Sequence, residues 1–340
     1  MKFGPVAPVD ALGATAVHSI RQGDLLLKKG TLIGSKEVAA LSAAGVKEIV
    51  VATLEPGDVS EDEAAAGIAA AVAGSGVRID RAFTGRCNLF AQTAGVLVVD
   101  KGGIDRLNRI DEAVTLATLP AFKPVVEGEM IATVKIIPFA VAASARDAAL
   151  AEAAKAKPVV RIAPYKVRKL GVVSTLLPGL SPKVVEKTLK ITAARIAPAG
   201  TTIVAERRVP HEQQALTRAI EDVLKAGAEL VIVFGASAIA DRRDVIPMAI
   251  EAVGGKIEHF GMPVDPGNLI LIGKLGDASV LGAPGCARSP KENGFDWVLM
   301  RLLAGLPVSR ADITGMGVGG LLMEIVTRPQ PRSEPAPEKG

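Results

Sequence analysis

The chain has 340 residues, enough for two domains that each bury a core, and its 49% hydrophobic and 22% charged content excludes disorder over most of its length. Aromatic residues make up only 3% and there are 35 glycines, so the cores are built from Val, Ile, Leu and Ala, the palette of α/β architecture. The 40 Lys and Arg against 36 Asp and Glu give a mild net charge of +4, which suits an anionic small ligand; with one Trp and one Tyr there are few base-stacking platforms, and no nucleic-acid partner is expected. Cys87 and Cys286 are the only cysteines, too few for a disulfide framework or a metal cage. The start MKFGPVAPVD carries no apolar leader and no segment approaches a membrane span, so a cytoplasmic, membrane-free protein is expected.

Residues 1–160 mix strands and helices in irregular order and predict an α+β N-terminal domain. The segment 36–51 reads as a helix ending at Gly45, whose missing side chain suits a left-handed cap, followed by a strand. Segments 48–54, 95–100, 114–119 and 130–141 carry the β-branched bias of strands, and the alanine-rich 61–74 and 143–157 read as helices. The basic cluster Lys155, Lys157, Arg161, Lys166, Arg168 and Lys169 is read as an interdomain linker face.

From Leu170 the pattern becomes regular. Strand GVVST (171–175) leads through a loop to Ser181 and Pro182, an N-cap followed by proline at the first helical position, and Val185, Leu189, Thr192 and Ile196 recur at helical spacing. Strand 201–206, a helix stopped by Gly227, and strand 229–235 follow. A helix then starts at Asp244 and runs to Gly254 and Gly255. Segments 256–262, 269–275 and 279–283 are strands, the last two joined by the two-residue hairpin loop Gly276-Asp277, and a polar loop precedes the helix FDWVLMRLLAG. Alternating units of this kind impose a three-layer αβα domain with a mostly parallel mixed sheet over 165–327, residues 306–327 packing back on it or on the N-terminal region. The stretch 328–340 has four prolines in thirteen residues and reads as a linker or tail.

Ligands of open α/β sheets sit beyond the carboxyl ends of the strands, where helix N-termini present free N–H groups. Three loops leave those ends here: 174–182, 235–244 and 282–294. In 234–247, FGASAIADRRDVIP, small residues clear space for a flat or phosphorylated ligand, and Arg242, Arg243, Arg288 and Lys291 are candidate anion contacts. Alternatively, Gly-Ala-Ser-Ala serves helix–sheet packing, and Arg242-Arg243 is a solvated turn. Asp244 either caps its helix or holds magnesium against a phosphate. His211 is read as an exposed first-turn residue and Cys286 as a structural thiol. The stretch TGMGVGG (314–320) resembles a phosphate loop without its GK[ST] ending, and the lack of GxGxxG after GVVST excludes a nicotinamide-dependent oxidoreductase.

GASAIADRRDVIP is similar to the signature loop of the molybdopterin-binding α/β domain of molybdopterin adenylyltransferases and molybdate-inserting enzymes. Arg242, Arg243, Asp244, Val245 and Pro247 match that motif's second half, APGCARSP takes the place of its Pro-Gly-Asn-Pro loop, and the β/α order of 170–305 agrees. MKFGPV, TGRCNLF, ATVKIIPFAV, FGMPVDPGNL and PGCARSPKENGFDWVLMRLLAGLP resemble the front part of fusions between such a domain and a nucleotidyltransferase of the molybdenum cofactor cytidylyltransferase type, and the Pro-rich stretch is where the second domain would attach. Two departures stand out. Only Gly235 remains of the family's Gly-rich turn, and His211 replaces a second catalytic Asp, a poor exchange for magnesium. The resemblance implies a molybdopterin or molybdenum cofactor ligand, with magnesium in a catalytic version. It implies contacts from Ser174, Thr175, Gly235, Ala236, Ser237, Arg242, Arg243, Pro284, Gly285, Ser289 and Lys291, with Asp244 as catalytic and metal-holding candidate. Partners implied are the anionic pterin, a nucleotidyltransferase domain or a molybdoenzyme maturation partner, and further copies of the chain. Three readings remain: a cofactor-binding protein of molybdenum cofactor biosynthesis, a magnesium-dependent adenylyl- or molybdate-transferase, and a structural or regulatory module that has lost the ligand.

Overall fold

The computed structural model describes residues 1–155, 158–179 and 181–322, so Lys157, the expected tail 328–340 and the end of 306–327 lie outside the described residues. The chain divides into two compact units, one of Met1–Pro164 and one beginning at Tyr165.

In the first unit, strands Lys2–Val6, Ile49–Thr53 and Thr15–Ala16 form a small antiparallel sheet. Helix Ser35–Ala43 belongs to this part, whose core contains Leu27, Ile33, Leu41 and Val51. Gly45 follows the helix with φ of 72°, the left-handed conformation expected of it. Beyond it, Val114–Thr118, Met130–Ile136, Arg86–Ala91 and Val77–Ile79 make a four-stranded antiparallel sheet. Helices Glu61–Val72 and Ala143–Lys155 press alanine faces into the same core, Ala64, Ala65 and Ala69 from one and Ala149 and Ala153 from the other. The expected strand 130–141 is two strands, Met130–Ile136 and Ala140–Ala142, because Pro138 between them has no N–H for a ladder.

The second unit is built on a six-stranded sheet of β1 (Lys169–Leu176), β2 (Thr202–Pro210), β3 (Leu230–Phe234), β4 (Lys256–Phe260), β5 (Leu271–Leu275) and β6 (Ala278–Ala283), in the spatial order β2-β1-β3-β6-β5-β4. The β1–β2, β1–β3 and β3–β6 pairings are parallel, and β6–β5 and β5–β4 are antiparallel, which makes the mostly parallel mixed sheet that alternating units require. Leu275 pairs with Ala278 across Gly276 and Asp277, as expected of the hairpin. The helices are α1 (Pro182–Ile196), α2 (Gln213–Lys225), α3 (Val245–Ala252), α4 (Gly294–Leu303) and the short α5 (Arg310–Thr314).

Strand alternation assigns the two faces. Val173, Val231 and Val233 form one core with Leu216, Ile220 and Val223 of α2 and Ile246 and Ile250 of α3. Phe234 turns the other way, where Arg288 lies over its ring and reaches Thr188 of α1, so α1 covers the opposite face. The inward stripe of α1 is Val185, Thr188, Thr192 and Ile196, with Thr188 rather than Leu189 at its second position. The order of strands brings the carboxyl ends of β1, β3 and β6 side by side, and the three candidate loops leave from there.

Candidate functional site

Hydrogen bonds tie the three loops together. Thr175, fully buried at the end of β1, accepts the Ala236 N–H through Oγ1 at 2.8 Å. The same oxygen lies 2.8 Å from Nδ1 of His211, and Nε2 of His211 is 3.2 Å from Oγ of Ser237. His211 N donates to Leu176 O at 3.0 Å, fixing the residue just after β2 against the end of β1. His211 is therefore half-buried between two hydroxyls at the sheet edge and not the exposed first-turn residue that its position after Pro210 suggests. The helix it was expected to start begins at Gln213, behind the N-cap Glu212.

On the opposite face Arg288 joins the third loop to the second. Its Nη2 donates to Gly235 O at 3.0 Å, its Nη1 donates to Thr188 Oγ1 at 3.1 Å, and its guanidinium carbon sits 5.1 Å from the centroid of Phe234. Burial holds its pKa below the usual arginine value. Arg195 of α1 anchors the same loop from below, donating to Ala287 O and Ser289 O at 2.8 Å each and pairing through Nε with Asp296 of α4. Asn293 caps α4 and Asp296 closes its capping box by accepting Asn293 N–H at 2.9 Å. A cavity of ≈ 470 Å³ opens beside this loop, lined among others by Lys187, Gly285, Cys286, Arg288, Ser289 and Lys291. Its size suits a small organic ligand. Burial raises the Cys286 thiol above its ordinary value, which disfavours the thiolate.

The expected residues thus fall into groups. Thr175, Gly235, Ala236 and Ser237 are joined by the contacts above, and Ser174 pairs with Phe234 across β1 and β3, its hydroxyl buried without a hydrogen-bond partner among the described residues. Gly285, Ser289 and Lys291 line the cavity, and Pro284 is the N-cap of the short turn Gly285–Arg288 above it. Arg242 and Arg243 are exposed and reach none of these residues. Arg243, with its side chain 88% exposed, pairs with Asp241 at 2.7 Å, and Arg242 has no hydrogen bond or ion pair among the described residues. The small residues of 235–238 divide as well. A Cβ on Gly235 would lie 2.6 Å from Ser237 O and 2.9 Å from Ile246 Cδ1, so glycine there serves the turn itself, while Ser237 and Ala238 stay open to solvent.

Asp244 caps α3. One carboxylate oxygen accepts Val245 N–H at 2.7 Å and the other Ala240 N–H at 3.2 Å. With both oxygens engaged in the cap, and with no group of three His, Cys, Asp or Glu placed to hold a metal among the described residues, the donor set does not fit a resident magnesium ion. The TGMGVGG stretch is the end of α5 followed by a turn that closes on Asp265, which donates to Gly320 O at 2.8 Å. Arg168 of the basic cluster is occupied by Ala199 O and Tyr165 O, and the Arg168 and Lys169 backbone N–H groups donate to Glu229. Sequence alone did not single out Thr188 or Arg195. The buried Thr188 on α1 is the signal for one of them, since it accepts from Arg288, whereas the neighbouring Thr192 donates to Thr188 O of its own helix.

A family model described as "Domain of unknown function (DUF8806)" matches residues 5–53, in the first unit. No curated protein matches the chain. Among solved structures, the molybdopterin biosynthesis MoeA protein of Pyrococcus horikosii is similar over 89% of this chain and 75% of its own, at 12% identity and a TM-score of 0.31. A molybdenum cofactor biosynthesis protein of Pyrococcus furiosus is similar over 92% of this chain and 65% of its own, at 13% identity and a TM-score of 0.26. The molybdopterin biosynthesis enzyme MoaB of Thermus theromophilus is covered over 98% of its length by 41% of this chain, at 17% identity and a TM-score of 0.29. No helix among the described residues is long and apolar enough to cross a membrane.

Proposed function

We propose that the second unit binds an anionic pterin, molybdopterin or the molybdenum cofactor built from it, as a component of that cofactor's synthesis or maturation. The observation that carries the reading is the convergence of the three loops. Ala236 N–H on Thr175 and Arg288 on Gly235 O tie 174–176, 235–237 and 285–289 into one rim at the carboxyl edge of the parallel strands, where ligands of such sheets bind. The residues of 235–247 and 282–294 resemble the ligand loops of the molybdopterin-binding domain, and the cavity beside them is lined by Lys187, Arg288 and Lys291 against Glu292, a positive balance suited to a phosphate. Arg242, exposed and without a hydrogen bond or ion pair among the described residues, is a guanidinium with no partner there to give up for a ligand anion.

Equilibrium titration of the purified chain with molybdopterin, followed by pterin fluorescence, tests the reading. Binding is expected, and Arg242→Ala should weaken it about tenfold or more, the loss expected when a charge-assisted hydrogen bond is removed. A chain that does not change the pterin signal at any concentration refutes it. The attachment of a nucleotidyltransferase domain beyond the Pro-rich stretch and assembly of several copies belong to the same proposal, and a sedimentation measurement decides the second.

A further inference from the structure

We infer that Thr175, His211 and Ser237 form a one-way hydrogen-bond chain that ends in a hydroxyl donor for a phosphate oxyanion, so that the site meets the ligand's charge without a divalent cation. The inference rests on the pterin-phosphate reading and adds how that phosphate is held.

Proton counting sets the direction. A threonine hydroxyl has one proton to give and two lone pairs. Thr175 Oγ1 already accepts Ala236 N–H, and the only other polar atom it reaches among the described residues is Nδ1 of His211. Were Nδ1 protonated, Thr175 would accept twice, and its own proton would be buried in a fully enclosed position with no acceptor, the arrangement that folded proteins avoid. With Thr175 donating to Nδ1 every group is used: Ala236 N–H to Thr175, Thr175 O–H to Nδ1, and Nε2–H to Ser237 Oγ at 3.2 Å. Each link polarises the next. Ser237 thereby accepts a hydrogen bond and keeps its own proton to donate, and it is exposed in the second of the three loops.

Two consequences follow. In this tautomer His211 donates to Ser237 and cannot act as its base, so Ser237 is a binding hydroxyl and not a nucleophile. The end of the chain offers a hydroxyl donor, which suits a phosphate monoester directly, and its one remaining lone pair is a single neutral oxygen, too little to hold a magnesium ion that takes six oxygen ligands. Thr175 and His211 are positioning residues that act through Ser237.

Nitrogen-15 spectra of the full chain labelled at its histidines test the tautomer. Near neutral-imidazole conditions His211, assigned among His18, His211 and His259 with a His211→Gln variant, should show a protonated Nε2 and a bare Nδ1. A protonated Nδ1 overturns the inference. Titration with molybdopterin in EDTA and in magnesium tests the site. Wild-type affinity should agree between the buffers within about twofold, and Ser237→Ala should lose about tenfold in both. A wild-type affinity that falls about tenfold in EDTA overturns the inference and leaves pterin binding standing; no binding in either buffer removes the reading beneath it.

Discussion

Replacing Arg195 with methionine should destabilise the second unit by about 3–5 kcal/mol, the usual cost of removing one partner from a buried ion pair. The side chain of Arg195 is 7% exposed and that of Asp296 15%, and Arg195 also supplies donors to Ala287 O and Ser289 O. Methionine fills most of the volume but leaves the Asp296 carboxylate facing a gap. Burial already pushes the pKa of Asp296 up, outweighing Arg195 beside it, so the ionised form has no stability to spare. Against a total of about 5–15 kcal/mol for a folded domain the loss is large. Urea unfolding can be followed through Trp297, the only tryptophan, which sits next to Asp296 and donates to Glu292 at 3.0 Å, so the signal reports this unit even if the first unfolds separately. The double variant Arg195→Met, Asp296→Asn removes the stranded charge and should recover at least about 1 kcal/mol relative to Arg195→Met alone. A single variant within about 0.5 kcal/mol of wild type, or a double variant showing the sum of the two single losses, would refute the argument.

Gly171→Ala on β1 would place a Cβ 2.9 Å from Val223 Cβ and 3.0 Å from Ala228 Cβ, neither able to swing away, and should cost about 1–3 kcal/mol in the same urea assay. His259 on β4 has its pKa lowered by burial and then by the charges of Arg310 and Arg242; its folded form binds a proton less readily than its unfolded form. Its contribution to stability is therefore fully present above the unfolded value of about pH 6.5 and is lost as pH falls below that through the lowered folded value, and His259→Gln should flatten the decline of the urea midpoint with acid; an unchanged slope counts against it. Asp244→Ala should cost about 0.5–2 kcal/mol by uncapping α3 and freeing Ala240 N–H, and Asp244→Asn markedly less; equal losses from the two would show that the carboxylate does something other than cap.

What the sequence disclosed depended on how local the cause was. The strands of the second unit could be read because β1, β3 and β6 are buried on both faces and so appear as short apolar runs between turn residues. β2 runs four residues beyond its expected end at 206, to Pro210, because Arg207, Arg208 and Val209 pair with Val173, Ser174 and Thr175 of β1 on a partly exposed edge, where the ladder does not need apolar side chains. The partners of His211, Thr175 and Ser237, lie 36 and 26 positions away, and those of Arg195 92 to 101 positions away. No window of sequence contains both ends of such a contact. Only the strand order brings them together, which is why His211 looked like surface and Arg195 like an ordinary helix charge.

The guanidinium groups around the rim divide by what already satisfies them, and this division decides which can bind a ligand. Arg195 and Arg288 are largely buried, and their donors are used by Asp296, Ala287 O, Ser289 O, Gly235 O and Thr188, so drawing either toward a ligand would strand buried acceptors and loosen the loops they hold. Their charge fixes the shape of the site and biases its potential. Arg242 is the reverse case: solvent satisfies it, so pairing with an anion costs only desolvation and side-chain entropy. Arg243 lies between them, since it would have to leave Asp241, with which it makes an exposed pair worth little. A frame of internally satisfied arginines with Arg242 exposed outside it is the arrangement expected of a site that is preformed before an anion arrives, and on the proposed reading recognition falls to the exposed residues of 237–243, with α1 and the turn Gly285–Arg288 as the architecture behind them.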